Sequence, residues 1–194
     1  MEFTPQAKRA FHMQSYGPGP SIDGIELVEL KRFADDAGTL TELARLSDGR
    51  AAAFAGFALR QINYSELSPG AIKAFHLHTR QTDIWYVPPG DRMLVVLVDV
   101  RQGSKTEGVR TRLMLGDGAS RLLRIPPGVA HGFLATTDVD LIYWVTHYYD
   151  STDEFGVAWD DPTLAAPWRI EGPILSERDM KNPRLEWSTI PAWS

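Results

Sequence analysis

Residues 70–90 read GAIKAFHLHTRQTDIWYVPPG, and residues 126–133 read PPGVAHGF. His76 and His78 are two residues apart, so on a β-strand their side chains point to the same face. Asp83 and His131 can converge on them from neighbouring strands. Three imidazoles and a carboxylate suit one divalent metal ion. The two stretches therefore predict a site that is built on strands.

The spacing of the glycines, histidines and acid in these stretches resembles the two sequence motifs of the cupin superfamily, with Asp83 where glutamate is usual. The resemblance implies an all-β fold, a cupin-type double-stranded β-helix (jelly-roll) barrel, with the site inside the barrel. It also implies a hypothetical set of metal ligands, namely His76, His78, Asp83 and His131. The alternative is that each histidine is an ordinary hydrogen-bonded residue of a β protein.

Short apolar segments alternate with Gly, Pro and Asp turns along the chain, which is typical of an all-β protein. Strands are expected over residues 25–34, 52–63, 71–78, 83–88, 92–101, 110–116, 121–125, 131–136 and 140–149. Residues 93–98 are apolar at consecutive positions, which predicts a strand that is covered on both faces. The barrel core would cover one face, and a second sheet or a partner subunit the other. A homodimer is the favoured explanation.

The 194 residues suit a single domain. The run Gly17-Pro18-Gly19-Pro20 separates a short N-terminal extension, residues 1–24, from a cupin barrel domain, residues 25–183. Residues 184–194 are expected to form a C-terminal tail. Four tryptophans are expected to pin an irregular C-terminal region: Trp159, Trp168, Trp187 and Trp193.

The composition excludes several classes of protein. The chain contains no Cys, so it has neither a disulfide framework nor a thiolate metal site. A net charge of −5, without a basic run that carries aromatic residues, argues against nucleic acid as a partner. No stretch is apolar enough for a signal peptide or a membrane span, so we expect a cytoplasmic protein. A phosphate-bearing ligand would need a local basic pocket, for which the candidates are Lys73, Arg80, Arg92, Arg110 and Arg112.

Seven segments occur in an order that one family shares: QINYS (61–65), KAFH (73–76), VVLVDVRQGS (95–104), IPPGVAHGF (125–133), LIYWVTHYY (141–149), WDDP (159–162) and LSERD (175–179). From about Phe33 to Pro183 the chain resembles the dTDP-4-dehydrorhamnose 3,5-epimerase family, a cupin branch that usually works without metal. The resemblance implies a nucleotide-linked 4-keto-6-deoxy sugar as partner and epimerisation at its C3, its C5 or both. It implies no required cofactor.

The same resemblance implies roles for individual residues. His76 falls on the family's catalytic base, Asp179 on the carboxylate that pairs with the base, and Tyr143 on the acid across the sugar ring. A His near neutral pKa suits proton abstraction next to a ketone, and a Tyr hydroxyl can return a proton to the opposite face. The resemblance also implies four substrate-binding residues: Gln61, Asn63, Lys73 and His131.

Two of these residues have a structural alternative. Ser176 and Asp179 fit the S-x-x-[DE] capping pattern, so Asp179 could close a short helical turn, although capping does not exclude a bond to His76. Tyr143 lies within a predicted strand, where an aromatic side chain more often packs than transfers protons.

The departures from the family pattern concern charge. Lys73-Ala74-Phe75-His76 stands where R-G-L-H is common, and Asp35-Asp36-Ala37-Gly38 stands where the family carries D-x-R-G, whose Arg helps to hold the diphosphate. Asp83 aligns with the Lys that steadies the enolate oxygen, and His78 with a Gln. A carboxylate there repels a developing enolate, and the loss of one stabilising donor alone typically costs about 3 to 4 kcal/mol.

Three interpretations remain open for this exchange of charge. A divalent metal on His78, Asp83 and His131, with or without His76, could act as the Lewis acid. Alternatively, Asp83 points elsewhere and Lys73 or Arg80 stabilises the oxygen. In the third interpretation, the chain has lost the reaction and is a non-catalytic sugar-binding cupin, or a metal-binding cupin that acts as an oxygenase or isomerase on another molecule.

Overall fold

The structure is a computed structural model that describes residues 4–5 and 19–185. Most of the expected N-terminal extension and of the C-terminal tail, including Trp187 and Trp193, lies outside these residues. The strands are β1 (Glu26–Glu29), β2 (Arg32–Asp35), β3 (Gly38–Thr41), β4 (Leu46–Ser47), β5 (Arg50–Ala51), β6 (Gln61–Leu67), β7 (Ala71–Leu77), β8 (Asp83–Tyr86), β9 (Arg92–Asp99), β10 (Arg110–Gly116), β11 (Arg121–Ile125), β12 (Val129–Ala135), β13 (Val139–Val145), β14 (Phe155–Gly156) and β15 (Ile174–Leu175). A 3₁₀ turn covers Ser151–Asp153, and a one-turn helix, α1, covers Glu177–Met180.

Two large sheets form the body of the molecule. The five-stranded sheet has the order β1-β11-β8-β13-β6, and the six-stranded sheet has the order β10-β9-β12-β7-β14, with β15 added parallel to β7. The side chains between the sheets form one apolar cluster, to which Trp85 and Leu141 contribute from the first sheet and Val95 and Phe133 from the second. Two facing antiparallel sheets around one core confirm the predicted all-β, jelly-roll fold class.

The strand expected over residues 25–34 is two strands. β1 pairs with β11, whereas β2 pairs with β3 in a separate hairpin. The strand expected over residues 52–63 begins only at Gln61. The segment before it folds into turns that bury Phe54 and Phe57, each 1% exposed, against the outer face of the five-stranded sheet. A loop with apolar residues three apart, which cover the sheet from outside, therefore stands where the sequence predicts the start of a strand.

β9 is covered on both faces, as its apolar run predicts. Val95 and Leu97 point into the core between the sheets, while Val96 and Val98 lie on the opposite face with Leu164 and Trp168. The expectation that a second sheet or a partner subunit covers this face is wrong, because the chain's own C-terminal segment, residues 157–170, packs there.

The tryptophans of this segment anchor it, as expected. Trp168 is 4% exposed, its Nε1–H donates to the Trp159 carbonyl oxygen at 2.8 Å, and its ring centroid lies 5.6 Å from that of Phe75 on β7. The C-terminal segment is thereby fixed to the strand that carries His76. Among the described residues, no helix is long and apolar enough to cross a membrane.

Candidate active site

A cavity of about 400 Å³ lies between the two sheets, within the size range of small-molecule sites. β6, β8 and β13 line it on one side, and β7 and β12 line it on the other. The predicted site residues that line the cavity are Gln61, Asn63, Lys73, His76, His78, Asp83, His131 and Tyr143. Asp179 lies behind His76, on α1. The structure thus brings together residues that are far apart in the sequence, such as His76 and Asp179, which are 103 positions apart.

His76 and Asp179 form a hydrogen-bonded pair. The Nε2 atom of His76 lies 2.9 Å from Oδ1 of Asp179, whose side chain is 1% exposed. A carboxylate oxygen accepts, so Nε2 carries the proton and Nδ1 is left with a lone pair. Burial acts to raise the pKa of Asp179, but hydrogen bonds from His76 and Ser176 outweigh it and hold that pKa below its usual value. Asp179 is therefore an anion that orients the His76 ring.

Asp179 also belongs to the cap of α1, so the two interpretations of this residue hold together. Ser176 is the N-cap residue, and its hydroxyl accepts from the Asp179 backbone N–H at 3.1 Å. The same hydroxyl donates to Oδ2 of Asp179 at 2.6 Å, while Oδ1 faces His76. β15 holds this turn beside β7, because Ile174 and Leu175 pair with the start of that strand. The cap therefore fixes the carboxylate that accepts the hydrogen bond from His76.

Tyr143 stands on the opposite wall of the cavity. It lies on β13, paired with Asn63 on β6 and with Trp85 on β8, whereas His76 lies on β7 in the other sheet. Burial, and secondarily the charge of Asp83, raise the pKa of Tyr143, so its hydroxyl keeps its proton at neutral pH. A ligand in the cavity would have a base on one side and a proton donor on the other.

His78, Asp83 and His131 form a second group in the same cavity. A ring nitrogen of each histidine and an oxygen of Asp83 all lie within 4.8 Å of one another. His131 is 4% exposed, and burial, with the neighbouring His78 and His76, lowers its pKa to about 3, so it is neutral. Burial raises the pKa of Asp83 against the influence of His78 and of two hydrogen bonds. His76 lies outside this group.

Most of the positive charge at the cavity is paired with carboxylates. Arg80 lies 2.6 Å from Asp150, and Arg178 lies 2.8 Å from Glu154. Lys73 also lines the cavity. Because their charges are already paired with Asp150 and Glu154, the two arginines are less available to bind a diphosphate than isolated cations would be.

Three of the candidate basic residues are elsewhere, so their assignment to the pocket is wrong. Arg92 begins β9 and lies 3.0 Å from Asp117, Arg110 donates to the Thr163 carbonyl oxygen at 2.7 Å, and Arg112 is on β10 at the edge of the six-stranded sheet. The pairing of β9 with β10 sets these positions, and this pairing cannot be read from the residue types alone. Ala37 stands at the aligned position of the family's diphosphate-binding Arg, and Asp35 Oδ1 caps the β2–β3 turn by accepting from the backbone N–H groups of Ala37 and Gly38.

Sequence reasoning missed Arg178, Glu154 and Trp85. The Nη2 atom of Arg178 lies 3.3 Å from Nε2 of His76, and the indole N–H of Trp85 donates to Asp83 at 3.1 Å. Trp85 could have been found, because it lies two residues after Asp83 on a strand and so shares its face. Glu154 comes directly after the 3₁₀ turn Ser151–Asp153, and the sequence predicts such a turn less clearly than it predicts a strand.

Comparison with known proteins shows which family the chain resembles in sequence. The sequence model of the dTDP-4-dehydrorhamnose 3,5-epimerase family matches residues 20–186. The spore coat polysaccharide biosynthesis protein SpsL of Bacillus subtilis is 39% identical over 154 residues, which cover 77% of this chain and 98% of that protein.

Solved structures of such epimerases share the fold. The rmlC epimerase of Mycobacterium tuberculosis superposes with a TM-score of 0.74 at 30% identity, over 85% of this chain and 86% of that one. The epimerase RmlC of Legionella pneumophila, solved in complex with dTDP-4-keto-L-rhamnose, gives a TM-score of 0.75 at 26% identity, over 91% and 97%. The family model spans most of the chain and the predicted site residues meet in one cavity, so this protein belongs to the dTDP-4-dehydrorhamnose 3,5-epimerase family.

Proposed function

We propose that this protein is an isomerase that epimerises a nucleotide-linked 4-keto-6-deoxyhexose at C3, at C5 or at both. The observation that carries the proposal is the placement of the His76–Asp179 pair and of Tyr143 on opposite walls of one cavity. Inversion of a carbon centre requires removal of a proton from one face and delivery to the other. A base and an acid on facing sheets meet that requirement.

In the proposed mechanism, the C4 ketone acidifies the neighbouring C–H bond and Nδ1 of His76 takes the proton. Asp179 stabilises the imidazolium that forms, because it is an anion hydrogen-bonded to the other ring nitrogen. The C–H electron pair becomes an enolate with its charge on the C4 oxygen. Tyr143 then gives its proton to the opposite face of the carbon, and solvent restores both groups. The reaction is redox-neutral, since each proton removed is replaced.

Substrate contacts are assigned to the remaining polar groups of the cavity. We propose that Gln61, Asn63 and Lys73 contact the sugar and its linkage, since all three line the cavity, and His131 lines the same cavity. Gln61 and Asn63 are held together by a hydrogen bond of 2.6 Å between their amides, which presents both from one strand. The nucleotide part is inferred from the Legionella pneumophila relative, whose complex contains a dTDP-linked keto sugar.

Incubation with dTDP-4-keto-6-deoxyglucose in D₂O tests this function. We expect deuterium to enter C3 or C5, detected by the loss of the corresponding proton signal in NMR spectra, with an epimeric product. Calorimetric binding of the nucleotide sugar without exchange would instead support a non-catalytic sugar-binding protein. Oxygen uptake with bound metal would support an oxygenase. The absence of both exchange and epimeric product with every keto-sugar nucleotide tested would contradict the proposal.

We further propose that the protein is a homodimer. β6 is an edge strand of the five-stranded sheet, and its outward side chains Ile62 and Tyr64 are 59% and 57% exposed. A second copy would cover both the apolar side chains and the open strand edge.

Light scattering tests the dimer. It should give a mass of about 43 kDa, twice the chain's 21.7 kDa, and Ile62→Lys should lower this mass towards that of one chain. A wild-type mass of one chain would exclude the dimer. The cytoplasmic location stays a prediction.

A further inference from the structure

Three side chains of the cavity are arranged as ligands of one ion. His78 follows directly on β7, His131 lies on β12, and Asp83 begins β8 in the facing sheet. Their candidate ligand atoms lie within 4.8 Å of one another. Ligands that share one first-row metal ion at about 2.1 Å are roughly 3 to 3.5 Å apart, so small side-chain rotations would close the group.

The two imidazoles are held in the form that a metal requires. Nδ1 of His78 lies 2.8 Å from the Asp153 carbonyl oxygen, and Nδ1 of His131 lies 3.0 Å from the Val129 carbonyl oxygen. A carbonyl oxygen only accepts, so Nδ1 carries the proton in both rings and each Nε2 keeps a lone pair. Orientation of a ligating histidine by a backbone carbonyl on its other nitrogen is common in metal sites.

Asp83 is held as the third ligand. Its side chain is buried, its Oδ1 accepts from Gln81 Nε2 at 2.8 Å, and its Oδ2 accepts from Trp85 Nε1 at 3.1 Å. Both donors are neutral, and among the described residues no Lys or Arg lies within ion-pair distance of this carboxylate. A buried carboxylate without a cation is unfavourable, and a carboxylate oxygen has a further lone pair to offer.

We propose that His78, Asp83 and His131 bind one divalent first-row transition-metal ion. Three protein ligands leave coordination positions open towards the cavity, as in catalytic rather than structural sites. His76 remains with Asp179 and is free to act as the base. As an extension that rests on the proposed function, an ion held by these three residues would supply a Lewis acid for the charge that develops on the C4 oxygen, which Asp83 alone would repel.

Metal analysis of protein purified without an affinity tag tests the site. We expect about one equivalent of metal per chain after incubation with Zn²⁺, Mn²⁺, Ni²⁺ or Fe²⁺ and desalting, measured by mass spectrometry of the elements. Asp83→Asn and His78→Gln should each weaken binding at least tenfold, with His78→Gln as the variant that leaves the buried carboxylate in place. Asp140→Asn, an exposed carboxylate on β13, is the matched control and should keep the full equivalent.

His76→Asn separates the site from the chemistry, because it should keep the metal and lose proton exchange. Less than about a tenth of an equivalent of every ion, or equal binding by wild type, Asp83→Asn and His78→Gln, would overturn the site. Full exchange activity in protein freed of metal by a chelator would overturn its role in the reaction. Metal binding is measured without substrate, so it stands or fails independently of the epimerase proposal.

Discussion

His76→Asn is expected to slow deuterium exchange and epimer formation together, by about 10³-fold, within the range that one general base typically contributes. Asparagine cannot take the proton, whereas it can still occupy the space beside Asp179. The rate of deuterium entry from D₂O into dTDP-4-keto-6-deoxyglucose, followed by NMR, measures the effect. Because the substitution removes the proton acceptor, the loss should appear in kcat.

The control for this substitution is ligand binding. The affinity for dTDP should change by no more than about twofold, and the thermal unfolding midpoint should stay close to that of the wild type. Asp179→Asn should give a smaller loss of kcat, because it removes the group that orients the ring but leaves the base. Retention of more than about a tenth of the exchange rate in His76→Asn would mean that another group abstracts the proton.

Tyr143→Phe is expected to reduce epimer formation by about 10²-fold or more and to leave much of the exchange intact. Phenylalanine fills the same space without a hydroxyl, so the opposite face loses its proton donor. His76 can still remove the proton, exchange it with solvent and return a deuteron to the original face. The expected product is therefore labelled substrate of unchanged configuration, which NMR distinguishes from the epimer.

Tyr86→Phe is the matched control, since Tyr86 lies on β8 but packs in the cluster on the outer face of that sheet. This variant should form the epimer at the wild-type rate. If Tyr143→Phe also formed the epimer at that rate, the residue would be a packing side chain. A parallel loss of exchange, dTDP binding and thermal stability would likewise assign it to packing.

The sequence predicts the sheets well where turn residues bound a short apolar segment. β7, β8, β10, β11 and β12 fall within or beside the expected ranges because each is such a segment. The prediction fails around Phe54 and Phe57, where a loop buries large apolar residues against a sheet from outside. Burial of this kind depends on tertiary contact, and a strand and a covering loop can have the same composition.

The sequence likewise predicts some residues of the candidate site and not others. His76, His78 and Asp83 could be placed together from their spacing along two strands that are consecutive in the chain. Arg178 and Glu154 could not, because their contacts depend on where a 3₁₀ turn and a one-turn helix come to rest beside the barrel. Charge pairing is equally hidden from a sequence, so the number of cations alone overestimated how basic the cavity is.

The order in which the chain is synthesised gives the C-terminal segment a further consequence. Chains are made from the N-terminus, and β9 leaves the ribosome long before residues 157–170, which cover Val96 and Val98. During that interval the nascent barrel exposes an apolar outer face, the kind of surface that chaperones bind. Asp179 emerges later still, so His76 has no carboxylate partner until then. The cover of this face and the proposed catalysis therefore both depend on residues 157–179, and we expect a translation product that stops before residue 157 to aggregate and to lack activity.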